Sequence, residues 1–94
     1  MGNKEYSAKE KIGINFKKVN SHVLKIIKML EEGHYCIDIM QQNLAVIGLL
    51  KSAHQMLLEN HLNTCFKNAM ASKDEGIKTK MIGEILQVVK LFNK

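Results

Sequence analysis

One long stretch of uninterrupted helical periodicity limits the folds that this chain can adopt. From Cys36 to about Ser72, apolar side chains recur every three or four residues, and no proline interrupts them because the chain contains none. A run of about 37 residues predicts a helix of roughly 55 Å. A compact domain of this size has a diameter of only about 25–30 Å. The run therefore predicts an all-α fold whose central helix buries its far end against another chain.

Shorter helical segments flank this central helix on both sides. Ser7 and Glu10 have the spacing of a capping box, which predicts helix 1 over Ala8–Glu32, with Gly33 ending it. Residues 72–76 are typical of a linker, and helix 3 follows at about Ile77–Phe92. We expect one domain over residues 1–94 with three helices, in which residues 1–7 form a poorly ordered tail.

The periodic apolar positions of the central helix form one face, which we call the seam. His61 and Cys65 lie on it four residues apart, a spacing that can chelate a metal at two points. The seam consists of Ile37, Met40, Leu44, Ile47, His54, Leu58, His61 and Cys65, with Lys51 as its one polar interruption.

A third candidate ligand, Cys36, lies at the start of the same helix. It is about 37 Å from His61 along a straight helix, so the two cannot meet within one chain. Two antiparallel copies would place Cys36 of one chain beside His61 and Cys65 of the other, about an axis between Leu49 and Leu50 next to Gly48. Such a dimer would hold two identical sites.

The donor set of these sites is soft. Two thiolates and one imidazole suit Cu(I), whereas Zn(II) favours a fourth ligand. Two alternatives remain open for the same residues. Cys36 and Cys65 could be buried thiols that act as small hydrophobes, with His61 a hydrogen-bonded interface residue. They could also form persulfide or disulfide bridges between chains, as in a thiol sensor.

The positive charge is concentrated in the first third of the chain. Residues 1–28 hold seven lysines against two glutamates, the remainder is balanced, and arginine is absent. This asymmetry favours contact with a polyanion such as nucleic acid, although a solvated lysine face is the alternative. Without arginine we expect phosphate contacts, strong salt dependence and modest base specificity. The candidate DNA-binding residues are Lys9, Lys11, Lys17, Lys18, Lys25 and Lys51.

Several classes of protein are disfavoured. The longest uncharged run, Ile39–Leu50, has 12 residues, too few to span a bilayer. No apolar segment typical of a secretory signal follows the N-terminus, so we expect a cytoplasmic protein without membrane contact. No catalytic Ser/His/Asp grouping, apolar carboxylate pair or phosphate-binding glycine loop is recognisable, so we do not expect an enzyme.

The segments YCIDIM (35–40) and NHLNTCF (60–66) closely resemble the copper-sensitive operon repressors of the CsoR/RcnR family. The similarity extends from about Phe16 to Phe92. It implies an all-helical bacterial repressor that assembles as a dimer of dimers, a homotetramer. In the copper branch of the family, effector binding across the dimer interface weakens operator DNA binding and releases transcription.

Residue by residue, the resemblance implies Cys36, His61 and Cys65 as Cu(I) ligands. Tyr35 and Glu84 match the positions that couple the ligand histidine to helix 3, and a ligating imidazole does need a partner for its second nitrogen. The nickel/cobalt sensors replace the second cysteine by histidine, the persulfide sensors lack the ligand histidine, and the formaldehyde sensors lack the second cysteine. The resemblance therefore favours the copper branch.

The chain departs from the family at two positions that usually carry DNA-contacting arginines. Asn15 and Ser52 occupy them here. A helical copper-binding protein that has lost DNA binding is therefore a further alternative to a repressor.

Overall fold

The computed structural model describes residues 6–94, and these residues form helices and turns without a strand. Residues 1–5, most of the tail predicted at 1–7, lie outside the described part. The helices are α1 (Ala8–Glu31), α2 (Cys36–His61), α3 (Lys67–Ala71) and α4 (Glu75–Phe92), with a π-helical turn at Leu62–Phe66 between α2 and α3. The all-α prediction with a long central helix is confirmed, because helical backbone continues from residue 36 to residue 71.

The described chain divides into two compact units. The first unit extends to Asn60 and contains α1 and most of α2, and the second comprises His61–Lys94. No helix within residues 6–94 is long and apolar enough to cross a membrane.

Local hydrogen bonds fix both ends of α1. The Ser7 hydroxyl accepts a hydrogen bond from the Glu10 amide at 3.1 Å, as a capping residue does. At the other end, Gly33 adopts a left-handed φ of 70°. The His34 amide donates to the Met29 carbonyl at 3.0 Å, and the Gly33 amide donates to the Leu30 carbonyl at 3.2 Å. This pair of bonds is a Schellman motif, which ends α1 at Glu31, one residue before the predicted end.

The turn returns the chain so that α1 and α2 pack as an antiparallel hairpin. The Asn15 side-chain amide donates to the Leu49 carbonyl at 3.4 Å. Seven residues further along α1, His22 Nε2 lies 2.8 Å from Gln42 Oε1, and Gln42 is seven residues before Leu49. A seven-residue step forward along α1 thus corresponds to a seven-residue step back along α2, so the two helices run antiparallel.

The side of α2 that meets α1 carries the small core of the first unit. Val46 and Ala53 are buried there, and so are Ile12 and Met29 of α1. We call this side the hairpin face of α2. It comprises Gln42, Val46, Leu49 and Ala53, which follow at the four- and three-residue steps of one helix face.

In the second unit, α3 and α4 contact each other, and Ala69 of α3 is buried. The helix predicted from Ile77 begins two residues earlier, at Glu75. The reason is that Asp74 caps it, accepting from the amides of Gly76 at 2.9 Å and Ile77 at 3.3 Å. The central helical segment ends at Ala71, one residue before the predicted limit.

Candidate metal centre and nucleic-acid interface

Cys36 is the first residue of α2 and is an exposed free thiol. The preceding residue, Tyr35, accepts hydrogen bonds at its carbonyl from the amides of Asp38 at 3.1 Å and Ile39 at 3.3 Å. These bonds close the first turn of α2 directly beneath Cys36. The Tyr35 side chain is itself 67% exposed, so both predicted site residues at this end of α2 are open to a second molecule.

The second cysteine, Cys65, lies in a π-helical turn, whereas the sequence predicts a regular α-helix there. His61 is the last residue of α2 and is partly exposed, whereas Cys65 is exposed within the π-helical turn Leu62–Phe66. The expectation of a regular α-helix through this pair is wrong, because each backbone hydrogen bond of a π turn spans one residue more than in an α-helix. Residues 62–66 contain neither glycine nor proline, so the sequence gives no indication of the wider turn.

The Cys65 sulfur has a hydrogen-bond donor beside it. The Thr64 hydroxyl points to Cys65 Sγ at 3.8 Å. Both side chains are exposed, which leaves the sulfur accessible as a ligand atom.

The predicted ligands do not assemble within one chain. Among residues 6–94, no group of three or more His, Cys, Asp or Glu side chains comes close enough to hold a metal ion. Cys36 and Cys65 are both free, so their sulfurs are not consumed by a disulfide. Glu84, the predicted coupling residue on α4, is exposed.

The part of the seam that α2 carries before Gly48 is exposed and apolar. Leu44 is 65% exposed and Met40 53%, and Ile37 and Ile47 are also exposed. At 100° per residue these four positions lie about 170° from the hairpin face. A Cβ added to Gly48 would meet no atom within 4 Å, so the space beside this glycine is open. Among residues 6–60, these four side chains therefore remain between 40% and 65% exposed.

The predicted DNA-binding lysines are all exposed. They are Lys9, Lys11, Lys17, Lys18 and Lys25 of α1 and Lys51 of α2. Asn15, where the family resemblance leads one to expect an arginine, uses its side-chain amide to bond the Leu49 carbonyl instead. Ser52, at the other such position, is exposed.

Comparisons with known proteins agree with this architecture. Residues 8–91 match the family model for metal-sensitive transcriptional repressors. The copper-sensing transcriptional repressor CsoR of Mycobacterium bovis is 39% identical over 88 residues, which are 93% of this chain and 71% of that protein. CsoR of Bacillus subtilis is 33% identical over 94 residues, covering 100% of this chain and 90% of that protein.

A solved structure also matches along the whole chain. The crystal structure of the copper-sensing repressor CsoR with Cu(I) from Geobacillus thermodenitrificans superposes with a TM-score of 0.82, at 32% identity, over 100% of this chain and 95% of that one.

The helical fold and these matches define the class as helical transcriptional repressors rather than enzymes, as the sequence predicted. Within that class, the chain belongs to the metal-sensitive transcriptional repressor family, and the CsoR/RcnR resemblance is confirmed.

Proposed function

We propose that this chain is a Cu(I)-sensing repressor that binds operator DNA without metal and leaves it when Cu(I) binds. The observation that carries the proposal is the exposed apolar seam of α2, which begins beside the exposed thiol of Cys36. The names of the CsoR relatives, and the Cu(I) in the Geobacillus structure, support copper as the metal. Such a repressor acts where the chromosome is, in the cytoplasm.

The proposed sensing unit is a homodimer in which two central helices pack antiparallel, seam against seam. Exposed leucine, isoleucine and methionine side chains supply the apolar surface for this contact. The open space beside Gly48 allows two backbones to approach near the axis between Leu49 and Leu50. Two such dimers would make the homotetramer that the family resemblance implies.

In this dimer the ligands come from both chains: Cys36 of one protomer with the partner's His61 and the partner's Cys65. The donor set fits the ion, because both sulfurs are free and exposed and soft thiolates favour Cu(I). When bound, Cu(I) supplies coordination bonds between the two protomers.

Two further residues have proposed roles around the ligand imidazole. The second ring nitrogen of His61 needs a hydrogen-bond partner that fixes its orientation. We assign this role to Tyr35 and Glu84, both of which have exposed side chains in a single chain. Through Glu84 the state of His61 would reach α4, and the DNA-contacting lysines of the two protomers would shift relative to each other.

A subunit-mixing experiment tests the shared site. We expect wild type to bind one Cu(I) per chain, and C36A and the double variant H61A/C65A to bind none. Mixing the two variants by refolding should restore about a quarter of the wild-type capacity, because half of the dimers are mixed and each of these has one complete site. A site built within one chain would regain nothing on mixing.

His34→Ala is the matched histidine control. His34 is exposed and lies 3.1 Å from Glu32 in the turn, so its loss should leave the stoichiometry unchanged. Full Cu(I) binding by C36A or by H61A/C65A would contradict the ligand assignment. The same proteins should also be mixed with promoter DNA, where the metal-free wild type is expected to form a complex that Cu(I) dissociates.

The two exposed free thiols favour a second candidate function, a thiol- or persulfide-responsive repressor. The variant H61A separates the two functions. A Cu(I) sensor loses its response in H61A, whereas a sensor that links Cys36 and the partner's Cys65 through sulfur keeps its response to polysulfide.

A further inference from the structure

The lysines of α1 do not all lie on one side of the helix. At 100° per residue, Lys11, Lys18 and Lys25 fall within about 40° of one another. Lys9 and Lys17 lie about 180° and 100° away from that line, and Lys51 lies on α2. We call the aligned set of Lys11, Lys18 and Lys25 the lysine ridge. Its three members are exposed.

Two interhelical hydrogen bonds hold the lysine ridge in a fixed orientation. Asn15 bonds Leu49 of α2, and His22 bonds Gln42 of α2. Along α1, these two residues alternate with the ridge lysines at steps of four and three residues. Because these bonds fix the rotation of α1 about its axis, they keep the ridge along one edge of the hairpin. The ridge is thus a row of charges on a rigid support.

No ion pair among the described residues 6–94 neutralises the lysine ridge. Within residues 6–94, the α1 lysine that forms an ion pair is Lys28, whose Nζ lies 3.8 Å from Glu32 Oε1. This pair lies beyond the C-terminal end of the ridge. The acids of α1, Glu10 and Glu31, lie near its two ends. The middle of the helix therefore presents unpaired positive charge to solvent.

We propose that the lysine ridge is the main contact with the phosphate backbone of double-stranded DNA. The proposal rests on the function proposed above and identifies which lysines carry it. Successive ridge lysines are about 10.5 Å apart, so the ridge covers about 21 Å of helix. That is the rise of about six base pairs at 3.4 Å per phosphate on one strand.

The chemistry of the ridge also limits what it recognises. An ammonium group meets a phosphate as a point charge and lacks the planar fork with which arginine grips guanine. The one amide interleaved with the ridge, that of Asn15, already donates to the Leu49 carbonyl. Affinity from the ridge therefore comes from phosphates and adds little base discrimination.

The test compares salt dependence between variants with equal charge. K11Q/K18Q/K25Q removes the ridge, whereas K67Q/K73Q/K80Q removes three exposed lysines of the second unit. The full-length metal-free proteins are titrated with duplex promoter DNA between about 50 and 200 mM salt. The slope of log K against log salt is negative, and each lost phosphate contact reduces its magnitude by about 0.9. The slope of the ridge variant should therefore be smaller in magnitude than that of wild type by about 2.7 per contacting protomer.

Two further variants define the geometry. K11R/K18R/K25R keeps the charge in place and should keep the wild-type slope. K9Q/K17Q/K28Q removes three exposed α1 lysines that lie off the ridge and should reduce the magnitude of the slope by less than the ridge variant does. Circular dichroism of each variant checks that α1 is intact.

The outcomes separate this inference from the proposed function. Equal slope losses in the ridge variant and the second-unit variant, with tight wild-type binding, would overturn the ridge assignment and leave the repressor function standing. Wild type that fails to bind promoter DNA even at low salt would overturn the repressor function itself. Binding to anionic phosphatidylglycerol vesicles in place of DNA would overturn both.

Discussion

The two sides of α2 differ in what covers them. The hairpin face meets α1, and its Val46 and Ala53 are buried. On the opposite side the seam residue Leu44 remains 65% exposed, although it is as apolar as the residues that are covered. Since both faces follow the same helical spacing, the difference lies in the available partner and not in the type of side chain.

The hairpin face is packed against α1 of the same chain, whereas Met40 and Leu44 of the seam are more than half exposed. The hairpin face is satisfied by packing and by two side-chain hydrogen bonds to α1. On the seam, Ile37, Met40, Leu44 and Ile47 remain 40–65% exposed. Full burial of a leucine, isoleucine or methionine stabilises by about 1.5–3 kcal/mol each. The chain thus places an exposed apolar surface beside the thiol that begins α2.

The largest expected effect comes from a charge on the seam. Leu44→Glu would bury a carboxylate between two chains, and we expect it to weaken the dimer by about 2–4 kcal/mol, roughly 30- to 1000-fold in dissociation constant. Sedimentation equilibrium measures the loss of dimer. Because the ligands are divided between chains, L44E should lose Cu(I) binding at the same protein concentrations, although Cys36, His61 and Cys65 are all intact.

Leu24→Glu is the matched control, since Leu24 is 60% exposed on α1 and away from the seam. The same change there should leave the dimer and Cu(I) binding intact. If L44E retained the wild-type mass and one Cu(I) per chain, the seam would not be the dimer interface.

A smaller effect is expected at the turn that brings α1 onto the hairpin face. Gly33 has a φ of 70°, where a side chain is strained. Gly33→Ala should therefore lower the free energy of unfolding by about 1–2 kcal/mol, measured by urea denaturation at fixed protein concentration.

Gly13→Ala is the control for this glycine. Gly13 lies inside α1, and a Cβ added there would meet nothing within 4 Å. Alanine should stabilise this position by up to about 1 kcal/mol through helix propensity. Destabilisation by Gly33→Ala together with stabilisation by Gly13→Ala would assign the difference to the left-handed backbone at Gly33. Stabilisation by both variants would contradict it.

Much of the fold could be predicted from local sequence signals. The Ser7 cap and Gly33 bound α1 to within one residue, since caps and left-handed glycines act over a few residues. α4 starts two residues before the predicted position, because the carboxylate of Asp74, within the predicted linker, caps the helix. The sequence does not predict the π-helical turn around Cys65, because no residue type specifies such a turn.

The sequence predicts the candidate ligands of the site but not the contacts between α1 and α2. Spacing identified the two cysteines and His61 as candidates and predicted that they would not meet within a chain. Spacing did not indicate that Asn15 and His22 would bond α2, since such contacts depend on the register of the hairpin. The pairing of helices is a tertiary property that periodicity of a single helix does not encode.

The smallest expected effect separates the two faces most directly. Gln42→Ala removes the acceptor of the 2.8 Å bond with His22 on the hairpin face, which should cost about 0.5–1.5 kcal/mol in urea denaturation. Gln41→Ala, at an exposed neighbouring position, should change stability by less than about 0.5 kcal/mol. Neither variant should alter the oligomeric mass, because Gln42 stabilises the hairpin within one chain. If Q42A dissociated the dimer as L44E is expected to, the two faces would not be independent, and the division of α2 into a hairpin face and a seam would be wrong.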